Sequence, residues 1–509
     1  MAEAAALAAA GALQSVACVH TGLWWLSWLA VAGLVLALHR VRPARAAGAG
    51  LAFGTGWLLG GVWWLFISLH RYGGLPAPLA VAAVLLLCVA LSLYLAVACA
   101  VYARWRSGRA GPDIALFAAC WALAEWARGV LFTGFPWAAS GYTQIDGPLA
   151  PLAPWVGVYG IGAAMAALAA GLAWAVTGGR KTGALPAAVA LCAVIGLWAA
   201  GPAQFTRPVG VSLGVTLLQT NVPQDEKFLA ERTPEVLQTL AEGLRAARGP
   251  LVVAPETAVP LLPSQLEAAA PDWWPELAAH FAQPGRALLV GRPLGGYEEG
   301  YTNSVVGLAA GAAAYRYDKA HLVPFGEFIP RGFRWFTELM NIPLGDFARG
   351  PLNAASFGAL GQRLAPNVCY EDLFGEELAQ RFVEESSAPT VLVNVSNIAW
   401  FGDSIAIPQH LNISRMRALE LQRPMLRATN TGATAVVDHG GRVTHALAPF
   451  TRAALDAQVQ GRQGTTAYAA WAGRFGLWPL AWLALAVIAW RVAAHRRGLA
   501  AGASGRAAP

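Results

Sequence analysis

Apolar residues run almost unbroken through much of the first 200 positions. The runs are too long for strands and show no polar stripe. A helix needs about 20 apolar residues to cross the hydrocarbon of a bilayer. Runs of about that kind fall at 4–19, 22–38, 50–69, 77–102, 113–132, 152–177 and 184–201, with an eighth at 476–494. The first is short and rich in Ala. Between 209 and 472 the pattern changes. Short apolar stretches at 211–219, 251–254, 286–291, 302–309, 313–317, 363–370, 390–396, 424–429 and 433–438 read as strands. Helical periodicity fills 234–248, 274–282, 376–386 and 408–421. Strands that alternate with helices give layers of α and β structure, and strands apolar throughout suit sheets covered on both faces. The expected fold class is a polytopic α-helical membrane domain of about eight transmembrane helices plus an α/β domain. The expected boundaries are 1–207 for a bundle of seven helices, 208–472 for the soluble domain and 473–509 for the last helix and tail.

Composition agrees with this division. Of 509 residues 56% are hydrophobic and only 13% charged, against about 25% charged in a soluble domain. Residues 1–208 and 473–509 together hold 16 Lys and Arg against four Asp and Glu, whereas 209–472 hold 20 against 25. The excess of basic residues thus lies between apolar runs, where it orients a membrane protein, and implies no nucleic-acid partner. Arg40, Arg42 and Arg45 follow the second run, Arg104, Arg106 and Arg109 the fourth, Arg180 and Lys181 the sixth, and Arg491, Arg496 and Arg497 the eighth. Basic loops mark the cytoplasmic side. Both termini are therefore expected in the cytoplasm and 209–472 on the outer side. No Lys or Arg precedes Arg40, so the start lacks the basic region of a cleaved signal peptide. The connection 133–151 emerges on the outer side and reads as a surface loop with interfacial aromatics Phe135, Trp137 and Tyr142, or as the lining of a substrate portal.

The chemistry is carried by few residues. No metal-ligand spacing, phosphate loop or dinucleotide fingerprint is present, so neither metal nor cofactor is expected. Five of six Cys lie in apolar runs; only Cys369 lies in the soluble domain. An unpaired Cys in an oxidising space is either a buried structural residue or a reactive thiol. The chain has only three Lys, at 181, 227 and 319, among 36 basic residues. Lys181 and Lys227 read as loop residues without special meaning. Lys319 closes a strand, either solvated there or held for its movable proton. Glu256 follows the strand at 251–254, either as a cap for the turn that follows or as a functional carboxylate, since active sites of layered α/β folds often lie there. Together these residues compose a mechanism: Glu256 as base, Cys369 as nucleophile, and Lys319 with the backbone N–H of Tyr370 as donors to an oxyanion. Glu327 follows Lys319 by eight residues, with Pro324 and Gly326 between them, so the chain can fold back and bring its carboxylate to the ammonium.

The order Glu256, Lys319, Cys369 resembles the nitrilase superfamily. The stretches TGFPW (133–137), GYTQIDGPL (141–149), QTNVPQ (219–224), PETAVP (255–260), DKAHLVPFGEFIP (318–330), VCYEDLF (368–374), NVSNIAWFGDS (394–404) and the block 410–441 resemble its membrane-embedded branch, the apolipoprotein N-acyltransferases. The resemblance implies an αββα sandwich on the periplasmic face of the bacterial inner membrane and no cofactor. It implies a phospholipid acyl donor, a thioester on Cys369 and transfer to the α-amino group of diacylglyceryl apolipoproteins, by an enzyme expected to be a monomer. It carries over Glu256, Lys319 and Cys369 as the catalytic set, Glu327 as a positioning group, and Tyr370 and Glu371 as supports of the thioester pocket. Phe228, Trp335, Phe336 and Trp400 become candidate lipid contacts. The aromatic stretch 325–344 is then either covered by a loop or an arm that dips into the membrane interface, and lipid substrates favour the arm. Ile398 departs from the family's usual NDAWFG, as do Phe228 and Ala254 from positions where Trp is common. A hydrolase with the same triad, in which water resolves the thioester, and a polytopic scaffold or transporter are the competing readings; for the latter Glu125 and Arg128 are the only charges deep in a span.

Overall fold

The structure, a computed structural model, describes residues 1–177, 192, 194–296, 298, 300–330 and 347–504. It divides into two compact units, one of residues 1–63, 81–203 and 475–509, the other of 64–80 and 204–474.

The first unit is helical. Five helices among the described residues are long and apolar enough to cross a membrane: Ala2–Val19, Ala77–Trp105, Ala110–Thr133, Ala150–Thr177 and Trp478–Arg497. A sixth is obtained if the bent pair Pro43–Val62 and Leu65–Tyr72 counts as one span. Five or six of the expected eight spans are thus present among the described residues. Trp25–Arg40 is apolar but only 16 residues long, and most of the run at 184–201 lies outside the described residues. Small side chains let helices touch backbone to backbone. A Cβ on Gly11 would lie 2.0 Å from the Phe53 carbonyl oxygen, and one on Gly56 1.9 Å from that of Ala8.

The connection 133–151 is not a surface loop. Trp137 and Tyr142 are buried, as are nearly all residues from 134 to 149. Two charges on the preceding helix fasten it. Arg128 donates to the carbonyls of Trp137 (2.7 Å) and Phe135 (3.1 Å) and pairs with Glu125 at 3.2 Å. Glu125 accepts from the Ser140 N–H (2.8 Å) and hydroxyl (2.5 Å) and from the Trp121 indole (3.0 Å). Charges that are buried need this degree of pairing, so the pair serves structure rather than a transport path.

The apolar run 50–69 breaks. Its helix ends at Val62, just after Gly60 and Gly61, and resumes at Leu65 with a bend of 62° before a π-helical turn at Ser68–Tyr72. Glycine pairs and π turns are common causes of such bends. From Trp64 onward the segment clusters with the second unit.

The second unit is a sandwich of two six-stranded sheets. Its strands in chain order are β1 (Leu213–Gln219), β2 (Leu251–Val253), β3 (Ala287–Gly296), β4 (Gly300–Ala309), β5 (Tyr315–Asp318), β6 (Phe357–Ala359), β7 (Gln362–Val368), β8 (Val391–Ser396), β9 (Met425–Thr429), β10 (Ala435–Val437), β11 (Val443–Ala446) and β12 (Ala453–Val459). One sheet runs β12-β1-β2-β3-β4-β5 and the other β11-β10-β9-β8-β7-β6. The central pairs β1–β2, β2–β3, β7–β8 and β8–β9 are parallel. Alternation along each strand builds the layers. Val215, Leu217, Leu251, Val253 and Leu289 meet Val391, Val393, Val395 and Leu426 between the sheets. The opposite faces pack on helices. Val252, Leu288 and Val290 meet Leu237, Leu240 and Leu244 of the helix Thr233–Ala246, together with Leu277 and Phe281. Leu392 and Met425 meet Leu378, Phe382, Ala418 and Leu421. The strand expected at 363–370 stops at Val368. The helix expected at 376–386 is a single turn, Gly375–Ala379, followed by a 3-10 turn.

Candidate active site

The carboxyl ends of the parallel strands converge, which is where α/β layers leave a crevice. Glu256 follows β2, Lys319 follows β5, Cys369 follows β7 and Asn397 follows β8. Lys319 is buried with its ammonium 2.9 Å from the Glu327 carboxylate and 3.6 Å from Glu256 Oε1. The fold-back that the Pro324–Gly326 spacing implies is present. The Glu327 N–H donates to the Val323 carbonyl at 2.9 Å and the Val323 N–H returns to Glu327 Oε2 at 2.8 Å.

Asn303 on β4 joins the two acids: its Nδ2 donates to Glu256 Oε1 at 2.7 Å and to Glu327 Oε1 at 2.8 Å. The second oxygen of Glu256 accepts the Asn397 N–H at 2.7 Å. Space behind Glu256 exists because residue 291 is Gly; a Cβ there would fall 2.5 Å from the Pro255 carbonyl and 2.7 Å from the Glu256 Cα.

Cys369 begins a 3-10 turn and sits at φ +52°, in the left-handed region. That conformation is costly for a side chain with a Cβ and persists where neighbours fix it. Glu371 is one fixture. It accepts from the Val368 N–H (2.6 Å), the Tyr317 hydroxyl (2.8 Å) and the Ala320 and His321 N–H groups (2.7 and 3.2 Å). The strand that delivers Cys369 and the segment that delivers Lys319 are thereby tied to one carboxylate. The other fixture is the Cys369 carbonyl, which accepts from His410 Nε2 at 3.2 Å and Asn394 Nδ2 at 3.4 Å. Arg427 Nη2 donates to His410 Nδ1 at 2.7 Å, which leaves the imidazole proton on Nε2, toward Cys369. Tyr370 is buried against His321 and Phe374, at centroid distances of 5.7 and 5.3 Å.

The charges are coupled. Burial works against the Lys319 ammonium, but Glu327 and Glu256 outweigh it and hold its pKa above the ordinary lysine range. Burial and then Glu256 push the Cys369 thiol up to about 12, with Lys319 and Ser396 pulling the other way. The raised pKa favours the protonated thiol at rest, under the opposing influence of one carboxylate, Glu256, and one ammonium, Lys319.

Two family profiles divide the sequence. The apolipoprotein N-acyltransferase N-terminal domain matches residues 10–171 and the carbon-nitrogen hydrolase domain 215–468. The chain is 52% identical to the apolipoprotein N-acyltransferase of Verminephrobacter eiseniae, over 94% of each chain. It is 45% identical to that of Ralstonia nicotianae, over 90% of this chain and 88% of that one, and 41% to that of Bordetella bronchiseptica, over 96% of each. The chain belongs to the apolipoprotein N-acyltransferase family. It is an acyltransferase enzyme of lipoprotein maturation, a multi-pass membrane protein with a carbon-nitrogen hydrolase domain.

The loop that carries Ile398 is fastened by residues 64–72. Ile398 is buried. The Ser68 hydroxyl donates to the Trp400 carbonyl at 3.1 Å, the Trp64 ring lies 4.2 Å from Phe401, and Tyr72 packs edge-on to Trp400. The Trp64 indole also donates to Gln409 at 3.1 Å. This acyltransferase thus secures the loop that presents Asn397 to Glu256 with the segment following its broken helix. Phe228 is exposed. Trp335 and Phe336 lie outside the described residues, as does most of the aromatic stretch 325–344. Sequence reasoning passed over Asn303, Asn397, His410 and Arg427, although a lone Arg in the apolar strand PMLRAT was a visible signal. It also misjudged Lys227. That side chain is buried, and its ammonium donates to the Glu256 backbone carbonyl at 3.0 Å.

Proposed function

We propose that Cys369, Glu256 and Lys319 carry out a two-step acyl transfer from a phospholipid to the N-terminal amine of a diacylglyceryl apolipoprotein. The observation that carries this reading is the convergence of the one Glu, the one Lys and the one Cys of the sequence-derived triad at three strand ends. Glu256 takes the thiol proton as Sγ attacks the ester carbonyl carbon of the phospholipid. The tetrahedral oxyanion is met by the Lys319 ammonium and the Tyr370 N–H; removal of one such donor costs on the order of 10²- to 10³-fold in rate. The carbon–oxygen bond to glycerol breaks, Glu256 returns the proton to the lysophospholipid, and the acyl chain remains as a thioester. The α-amine of the second substrate then attacks the thioester carbon. Its proton passes through Glu256 to the departing sulfur, and an amide is released. Glu327 holds the ammonium in place, and Tyr370 and Glu371 support the turn around the thioester. Phe228 and Trp400, with Trp335 and Phe336, contact acyl chains.

The alternation of basic loops supports eight spans, both termini in the cytoplasm and the catalytic domain on the periplasmic face of the inner membrane. It also supports a bundle over 1–207, a catalytic domain over 208–472 and a terminal helix over 473–509. An assay with labelled phosphatidylethanolamine and a diacylglyceryl-cysteine peptide tests the function. N-acyl peptide from the wild type and none from E256Q is the expected result. Free fatty acid as the sole product would replace the transferase by a hydrolase.

A further inference from the structure

Lys227 plays no part in the scheme above, yet it is among the most confined cations of the catalytic domain, with 3% of its surface exposed. It lies in the turns that follow β1, where its N–H donates to the Pro223 carbonyl at 3.0 Å. Its neighbour Phe228 points outward while Lys227 points inward. An ammonium has three donors, and the backbone carbonyl of Glu256, 3.0 Å away, accepts one.

Nearby charges define what this ammonium does. Glu256 and Glu327 are two carboxylates around one Lys319. Glu256, Glu327 and Lys319 taken by themselves sum to one negative charge, and an anion forming at Cys369 would add to it. Lys227 brings these four groups to neutrality. The groups that act on it from packed elements are Glu256 and Cys369. On its own loop Asp225 pairs with Arg71 and Glu226 with Arg232, and all four are exposed.

We propose that Lys227 is a positioning residue for the acyl transfer, holding the backbone of Glu256 and supplying the second positive charge against which the sulfur and oxyanion charges develop. This rests on the roles proposed for Glu256 and Cys369. Burial lowers the Lys227 pKa to about 8 against the opposing pull of Glu256 and Cys369, whereas Lys319 is held above the ordinary range. Lys227 is thus the cation that loses its proton first. Rising pH discharges it, leaves the cluster negative and slows thioester formation on the alkaline side.

The test measures acyl-enzyme formation by intact mass, with phosphatidylethanolamine in detergent micelles, from neutral to alkaline pH, for wild type, K227R, K227M and C369A. C369A reads the underlying assignment by itself: an adduct that survives there overturns the triad whatever Lys227 does. With that control blank, K227M is expected to form the adduct on the order of tenfold more slowly at neutral pH, the effect of one pKa unit on thiolate population, and to lose the alkaline decline. K227R keeps a permanent charge and is expected to retain activity with the decline moved to higher pH. A K227M enzyme with wild-type rate and wild-type profile overturns the proposal. If K227M does not fold, K227R decides: a decline that stays at the wild-type pH overturns it.

Discussion

The side-chain amide of Asn303 stands 2.7 Å from Glu256 Oε1. The same nitrogen reaches Glu327 at 2.8 Å, so a neutral donor keeps two acids in register around one lysine. Replacing it by a third acid removes the donor and adds repulsion. N303D is expected to lose on the order of 100-fold in transfer rate, the scale of misplacing a general base. Transfer kinetics at unchanged thermal stability would check this; a wild-type rate would deny Asn303 any part in placing Glu256.

Replacing Glu256 by Gln is expected to move two assays of Cys369 in opposite directions. Burial and Glu256 raise the thiol pKa to about 12, and the thiolate is the nucleophile. An acid whose pKa is raised ionises only at higher pH, so alkylation of the resting enzyme by iodoacetamide should climb through the alkaline range. E256Q removes one raising influence, shifts that climb to lower pH and increases alkylation at any given pH. It also removes the base, so transfer is lost. An E256Q enzyme that alkylates more slowly than wild type would contradict this electrostatic account.

Gly291 supports Glu256 from behind. A methyl group there meets backbone at 2.5 and 2.7 Å, which no side-chain rotation relieves. G291A should cost about 1–3 kcal/mol, as overpacking does, and lower transfer by moving Glu256. Thermal melting together with kinetics would show both; a variant that is less stable but fully active would mean that strain is absorbed away from the site.

Trp64 packs its ring on Phe401 of the 397–404 loop and donates its indole N–H to Gln409 on the helix that follows it. W64A should destabilise the catalytic unit by roughly 3–5 kcal/mol, the range for a buried Trp removed to Ala, while a W64F variant loses the hydrogen bond but retains most of the packing. Proteolytic cleavage within the loop reports the effect: faster cleavage in W64A than in W64F is expected, and equal protection in all three proteins would refute the anchoring role.

Much of this arrangement was legible in the sequence because it rests on local patterns. Nearly every strand of the sandwich centre was marked by an apolar run, and Glu256 and Lys319 stood just past such runs. The Glu327 turn was readable from Pro324 and Gly326. What escaped is what depends on distant chain segments. Lys227 sits in a polar-looking loop, and only the packed fold turns it inward. Asn303 reads as one polar position in a strand until the third dimension sets it between two acids. The edge strands β6, β11 and β12 are short or face solvent in part, so their apolar signal was weak. The run 50–69 looks continuous in the sequence because hydropathy does not report the bend that follows Gly60 and Gly61.

The acyl group is expected to rest on Cys369 between the two half-reactions. Purified wild type and C369A, incubated with phosphatidylethanolamine and then with diacylglyceryl-cysteine peptide, would be weighed intact and mapped by peptide mass. An acyl adduct is expected on the peptide containing Cys369 in the wild type, absent in C369A and disappearing as the acceptor amine is acylated. An adduct of the same size on C369A, or N-acyl peptide formed by C369A at the wild-type rate, would contradict it.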